Sequence, residues 1–316
     1  MERAGITAYC EAKLDTKSNG TNTLNSSKSA WGQFTRFIKS ELNVKDLRYI
    51  ERSHVESFGT KLAEQVENAQ FKFDISSAKT YLSQINGMMN AIRGDYRCSV
   101  NAQDIAGLRE AISQIATVQR AFTQEKFTAI KSTLNDKTSA QLEVQYQFAM
   151  RIEESSLMNY KQQLAQAEMK KTLTIEHAKG GQKRTIKLDK NQDKRSQQIS
   201  ALRACADIQN QQRTLNLVDA EKSKIQHYQH IYSQLRNVDL KTHDCRKTAA
   251  QEMYQQHSGA RCPLASGVEH KFRFSDIAEQ LNCTIQQAKH IDYSARIAVS
   301  KYLGHHRLDV TNAYLG

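Results

Sequence analysis

The sequence predicts a mainly α chain (α+β class): a helical N-terminal domain, then a helical second domain that carries one small antiparallel β-hairpin. Three observations lead there. A single proline among 316 residues leaves long stretches free of helix breakers. Apolar residues recur three and four apart through successive segments, which places them on one helix face. Strand-like alternation runs over Thr172–Ile175 and again over Thr185–Leu188, and Gly180-Gly181 between the runs is a hairpin signal. A chain of this length can bury two cores.

Charge narrows the function classes. Lys plus Arg is 45 against 33 Asp plus Glu, a formal net charge of +12. Such an excess points to a polyanion, nucleic acid first and an anionic membrane surface second. No apolar run approaches a membrane span and the N-terminus has no signal-peptide pattern, so a cytosolic protein with no membrane partner is expected. The six cysteines form no C-x-x-C pair, and Cys245, Cys262 and His257 are poorly spaced for zinc. Reduced thiols, no bound metal and no cofactor are expected.

The elements follow in order. Residues 1–28 are rich in Ser, Thr, Asn and Lys, above all from Asp15 to Lys28. Too little apolar surface is present to offset the ordering entropy, so a flexible tail is expected. Residues 29–115 read as a helical bundle. Trp31, Phe34, Ile38 and Leu42 line one helix; Ser53 and Glu56 suggest a capping box before Phe58 and Leu62. Ser77 opens a third helix, stopped by Gly94, and Ile105, Leu108, Ile112 and Ile115 line a fourth. Lys39, Lys45, Arg48, Arg52, Lys61, Arg93 and Arg97 make this domain basic, either as a solvated face or as one that meets DNA.

The second domain, 116–316, begins with a helix expected over Leu142–Tyr160 that contains Arg151 and Glu154. The hairpin comes next, with Lys179 near its tip, where a solvated lysine is the plain alternative. Helices are expected over about 194–211 and 220–236. His243 and Arg246 then open another; at i and i+3 they share a face and can point at one ligand. A polar loop with Pro263 spans His257–Val268, followed by helices over Phe272–Leu281 and Ile285–Leu303. Gly304 supplies a left-handed stop. Asp309 is a candidate N-cap for a last short helix that carries Tyr314, placing His305 and Tyr314 on either side of one corner.

Arg151, Lys179, His243, Arg246, His305 and Tyr314 share a chemistry. Two guanidiniums can hold the non-bridging oxygens of a phosphodiester and neutralise charge building up in a pentavalent transition state. A tyrosine hydroxyl is a competent nucleophile if a neighbouring histidine takes its proton. A hairpin lysine can protonate the leaving oxygen. No carboxylate cluster in the sequence suits a two-metal nuclease.

The order of these motifs resembles the tyrosine recombinase, or phage-integrase, family. L-G-H-H-R-L-D-V-T-N-A-Y-L at the end is similar to that family's Leu-Gly-His box and nucleophilic tyrosine. H-D-C-R at 243–246 resembles its His-x-x-Arg box, A-K-G-G-Q-K-R at 178–184 its hairpin lysine segment, and M-R-I-E-E at 150–154 its first arginine. The resemblance covers most of 140–316, and 29–115 fits the family's SAM-like core-binding domain in place and size. It implies that Arg151 and Arg246 bind the scissile phosphate, Lys179 is the general acid, His243 a general base and His305 a supporting hydrogen-bonder. Tyr314 would attack to form a 3′-phosphotyrosyl bond. It further implies metal-free, site-specific cleavage and rejoining of double-stranded DNA, a homotetramer on two DNA sites, a mobile-element origin, and a place in the bacterial cytoplasm on the nucleoid. The rival readings are a catalytically silent DNA-binding protein on the same fold, and a helical scaffold or RNA-binding protein.

Three departures stand out. Arg246 and His305 are 59 residues apart (305 minus 246), longer than in common relatives, which marks an insertion as in integrases of mobile elements. Cys245 and Lys247 stand where Leu and His are usual. The sequence stops two residues after Tyr314, where most relatives continue into a helix that docks on a neighbouring protomer.

Overall fold

The computed structural model describes residues 1–14, 21–68, 73–109, 115–177, 183–305 and 307–316. Two compact units emerge, Met1–Ser113 and Gln114–Gly316. The described residues are mainly helical with one two-stranded antiparallel sheet, the fold class expected from periodicity. None of their helices is long and apolar enough to cross a membrane.

The first unit contains α1 (Glu2–Leu14), α2 (Thr21–Ser40), α3 (Arg52–Glu67) and α4 (Ile75–Arg93). Trp31, Phe34 and Ile38 on α2 meet Phe58 and Leu62 on α3 and Ile85 and Met88 on α4, all buried. Phe34 and Phe58 pack edge-on with centroids 5.3 Å apart. The expected flexible tail is corrected here, since α1 and the start of α2 lie within 1–28. Trp31 explains the difference. Its ring lies so close to Gly5 that a Cβ there would sit 2.4 Å from it, and its Nε1 donates to Glu2 O at 3.3 Å. One large buried partner thus compensates for a segment with few apolar residues of its own. Asp15–Gly20, the most polar part of that tail, lies outside the described residues.

Local signals also shift by a few positions. Asp74 caps α4 by accepting from Ser77 N at 2.6 Å. At α3 the reciprocal cap is Glu51 with His54, not Ser53 with Glu56. Around Ile105, where the expected fourth helix would begin, the chain forms a 3-10 turn, Ala102–Asp104, and a left-handed Gly107, while residues 110–114 lie outside the described residues. Ile105 and Leu108 are nonetheless buried, while Ile112 lies outside the described residues. Arg48, Arg52, Lys61 and Arg93 pair on the surface with Asp46, Glu56, Glu41 and Asp95, respectively.

The second unit runs through α5 (Gln124–Lys131), α6 (Asp136–Gln147), α7 (Ile152–Leu157), α8 (Tyr160–Lys170), β1 (Thr172–Ile175), β2 (Arg184–Lys187), α9 (Gln192–Gln212) and α10 (Lys224–Gln234). It continues with α11 (Thr242–Ser258), α12 (Pro263–Ser266), α13 (Arg273–Leu281), α14 (Ile285–Leu303) and α15 (Asn312–Leu315). In the sheet Leu173 faces Ile186 and both are buried, packing with Phe148 and Leu202. Helix α11 is the central strut, packing against α6, α14 and α15. Its Ala250 and Tyr254 share a core with Ile277, Val299, Leu303 and Leu315.

The helix expected over Leu142–Tyr160 is in fact three, and the break has a tertiary cause. Ala149 takes a left-handed φ of 48°, unfavourable for a residue with a Cβ. Its carbonyl, released from the helix ladder, accepts from Arg246 Nη1 and, at 3.5 Å, from Arg184 Nη2. The break therefore turns a helix end into an acceptor for two buried cations and leaves Arg151 as the N-cap of α7. Two smaller corrections fall further along. Pro263 begins a short helix inside the expected loop, and Asp309 pairs with Arg307 instead of capping α15.

Candidate active site

The site grows from the first turn of α11. His243 and Arg246 lie on one face of that turn, as their spacing requires. Arg246 is fully buried. A guanidinium has five donors, and here four contacts are made: Nη1 to Ala149 O, Nη2 to Leu303 O at 2.6 Å and to His305 Nε2 at 3.3 Å, and Nε to the Tyr314 hydroxyl at 3.3 Å. Burial pulls Arg246 down to about 10, so it stays cationic at neutral pH.

Tyr314 sits among these groups, 5% exposed. Its ring centroid lies 5.4 Å from that of His243 and 5.9 Å from that of His305. The hydroxyl is held by Arg246, whereas the contact with His243 is ring to ring. Gly304 makes the corner possible. Its φ is 69°, and a Cβ there would lie 2.9 Å from Arg184 Cδ. Thus four side chains nominated from sequence, His243, Arg246, His305 and Tyr314, come together at the end of α14.

Arg151 joins them through Glu154, which lies 1% exposed. Glu154 accepts from Arg151 N at 2.9 Å and Nη1 at 2.7 Å, and from Arg184 Nη1 at 2.9 Å and Nη2 at 2.8 Å. Arg246 Nη1 is 4.0 Å from the same carboxylate. Burial alone would raise the Glu154 pKa, but the hydrogen bonds and charge of Arg184, then Arg151 and Arg246, hold it at about 2. Three guanidiniums around one carboxylate leave a net positive cluster that a phosphodiester can complete. Glu154 and Arg184 stand in the quoted motifs but were not nominated as site residues. The only signal for Glu154 is its i+3 place after Arg151; for Arg184, a strand end gives none. Lys179 lies outside the described residues.

Desolvation, followed by the charge of Arg246, pulls His243 and His305 down to about 4. His243 is an exposed residue whose ring nonetheless packs against that of Tyr314. Both rings are neutral near pH 7 and can accept a proton. A bound phosphate anion would offset the arginines and raise their basicity. A third histidine behaves alike for a structural reason. His227 is buried, its Nε2 is 3.1 Å from Gln141 Oε1, and desolvation pulls it to about 4. Gln141 Nε2 already donates to Ser155 and Ser156, so His227 Nε2 carries the proton.

These shifts fix a sign. Between pH 6.5 and 4 the unfolded chain binds protons that the folded one refuses, so stability falls as pH drops through that window and is level above it. Denaturant midpoints measured from pH 7.5 to 4.5 should decline. His227→Gln, which keeps a donor for Gln141, should flatten part of that decline. A level midpoint in the unaltered protein would refute the assignment.

No family model and no curated protein matches the sequence. Among solved structures the chain is similar to a lambda integrase tetramer bound to a Holliday junction, at 12% identity and a TM-score of 0.53, covering 93% of this chain and 77% of that one. It is also similar to a fragment dimer of lambda integrase bound to a COC′ core site, at 13% identity and a TM-score of 0.52, covering 88% of this chain and 91% of that one. The chain shares the fold of these lambda integrase structures.

Proposed function

We propose that this protein is a site-specific DNA recombinase that cuts and rejoins duplex DNA through a 3′-phosphotyrosyl bond. The observation that carries the reading is the convergence on one buried tyrosine hydroxyl: Arg246 donates to it, and His243 and His305 flank its ring. Arg151, tied in through Glu154, adds a second guanidinium for the phosphate. Structural core packing alone gives no reason to gather two neutral histidines and a buried arginine around a phenol.

In this reading Arg151 and Arg246 hold the non-bridging oxygens and offset the charge that develops on phosphorus. The Tyr314 oxygen attacks, its proton passes to His243, and the bond from phosphorus to the 5′-oxygen breaks. The departing oxygen takes a proton from Lys179, an assignment that rests on sequence. His305 steadies the phosphate through a hydrogen bond. Attack of a 5′-hydroxyl on the phosphotyrosine reverses the steps and rejoins a strand. The lambda integrase neighbours are held on DNA, one of them as a tetramer. Together with the charge of +12, this supports double-stranded DNA as partner and a homotetramer on two sites.

A pool of nicked duplexes with a randomised core tests the proposal. The short leaving strand diffuses away, so a covalent protein–DNA adduct should accumulate, in EDTA as well as in magnesium, and map to Tyr314. Binding without an adduct would favour the catalytically silent reading. Lys179→Ala should slow adduct formation with little change in binding. A substrate with a 5′-bridging sulfur, whose thiolate leaves without a proton, should restore the rate. Absence of that rescue would remove Lys179 from the role of acid.

A further inference from the structure

The residues that hold Tyr314 in place form a closed circuit, and three of them, Tyr254, Asp292 and Arg296, lie outside every motif. Helix α15 has four residues and follows a 3-10 turn, Asp309–Thr311. So short a helix has no stability of its own. The position of the Tyr314 hydroxyl must therefore be set by groups outside the segment.

Arg296, on α14 and 6% exposed, supplies most of them. Its Nη1 donates to Asn312 Oδ1 at 2.7 Å and Thr311 Oγ1 at 3.3 Å, and its Nη2 to Gly316 O at 3.0 Å. These acceptors lie on both sides of Tyr314. The guanidinium is itself fixed by Asp292, to which Nε donates at 2.9 and 3.0 Å. Asp292 in turn accepts from the Tyr254 hydroxyl at 2.7 Å. Tyr254 belongs to α11, eight residues past Arg246 (254 minus 246), or roughly 12 Å along the axis. The same helix also reaches the segment directly, since Gln251 Nε2 donates to Tyr314 O at 3.1 Å. The circuit runs from Arg246 down α11 to Tyr254, across to Asp292 and Arg296, into 311–316, and back to Arg246 through the Tyr314 hydroxyl.

We propose that Arg296 is a positioning residue for the nucleophile: it clamps the segment around Tyr314 against α14 and sets where the phenol oxygen lies beneath Arg246. The planar fork suits the task because it binds several acceptors at fixed angles, which an ammonium cannot do. Asp292 and Tyr254 orient the fork and so register the segment against the helix that carries His243 and Arg246. The inference rests on the reading of Tyr314 as nucleophile, but the clamp can be tested without it.

Two substitutions isolate the clamp. Asn312→Ala removes its shortest bond to the segment and leaves the Arg296–Asp292 pair whole. Arg296→Lys keeps the charge and loses the fork. In both, hydrogen exchange read by mass spectrometry should quicken about tenfold or more over 310–316 while peptides from α11 and from α13 stay unchanged. Single-turnover adduct formation should slow about 10- to 100-fold with DNA binding retained, the effect of a small misplacement of a reacting group. Unchanged exchange over 310–316 in both variants would overturn the clamp. So would exchange that quickens throughout the second unit in both, which marks a general packing role. Locally quickened exchange in a protein that forms no adduct even when unaltered would keep the clamp and reject the recombinase reading instead.

Discussion

Tyr314→Phe is expected to abolish covalent attachment to DNA while leaving duplex binding and folding intact. The phenol oxygen is the only atom removed. Arg246 loses one acceptor at 3.3 Å but keeps the carbonyls of Ala149 and Leu303, so the pocket stays formed. One such hydrogen bond contributes only about 0.5–1.5 kcal/mol to stability. The chemical effect is of another order, because no other hydroxyl is held by Arg246 among the described residues. Tyr302 is the natural control. It is close by in sequence, yet its hydroxyl donates to Gln147 O at 3.0 Å, and burial pushes its phenol up, the wrong direction for a nucleophile. Tyr302→Phe should keep the adduct. An adduct that survives Tyr314→Phe, or one that disappears in a folded Tyr302→Phe protein, would overturn the mechanism.

Glu154→Gln should cost the most stability of any single change at the site. The carboxylate is buried between Arg151 and Arg184, with Arg246 at the edge of its reach. An amide offers one acceptor oxygen and two donors, which then point at cations. Leaving such charges without their counterion costs about 3–5 kcal/mol. The loss should appear as a lower denaturant midpoint, with the folded fraction forming adduct about 100-fold more slowly, because Arg151, proposed to hold the phosphate, loses its anchor and Arg246 loses a nearby counter-charge. The pH dependence carries a second signature. Glu154 titrates at about 2 when folded and near the ordinary 4.5 when unfolded, so its stabilisation is present above 4.5 and fades as pH falls toward 2. That acid-range loss should be smaller in Glu154→Gln. An unfolding free energy within about 1 kcal/mol of the unaltered protein would show that the arginines do not depend on this carboxylate.

Parts of this protein were legible in sequence because they are decided within a few residues. Helical periodicity gives α2, α3 and α14, since it depends only on which side chains share a face. The i, i+3 spacing of His243 and Arg246 works for the same reason, and Gly304 announces its own left-handed stop. The candidate site was legible as a set of residue types in order, and His243, Arg246, His305 and Tyr314 do meet. Other features have partners too distant for any local signal. Residues 2–14 fold because Trp31 lies against Gly5, and composition over the segment cannot report a ring that far away. The helix expected through Met150 breaks because Arg246, 97 residues further on, captures the Ala149 carbonyl. Glu154 gains its central place from Arg184 on a strand 30 residues later. Arg296 reads as half of an ordinary i,i+4 pair with Asp292 until the 311–316 segment closes around it. Residue spacing set which groups share a helix face; only the tertiary structure decided which buried charges found a counterion, because that energy depends on burial and distance between segments that sequence separates.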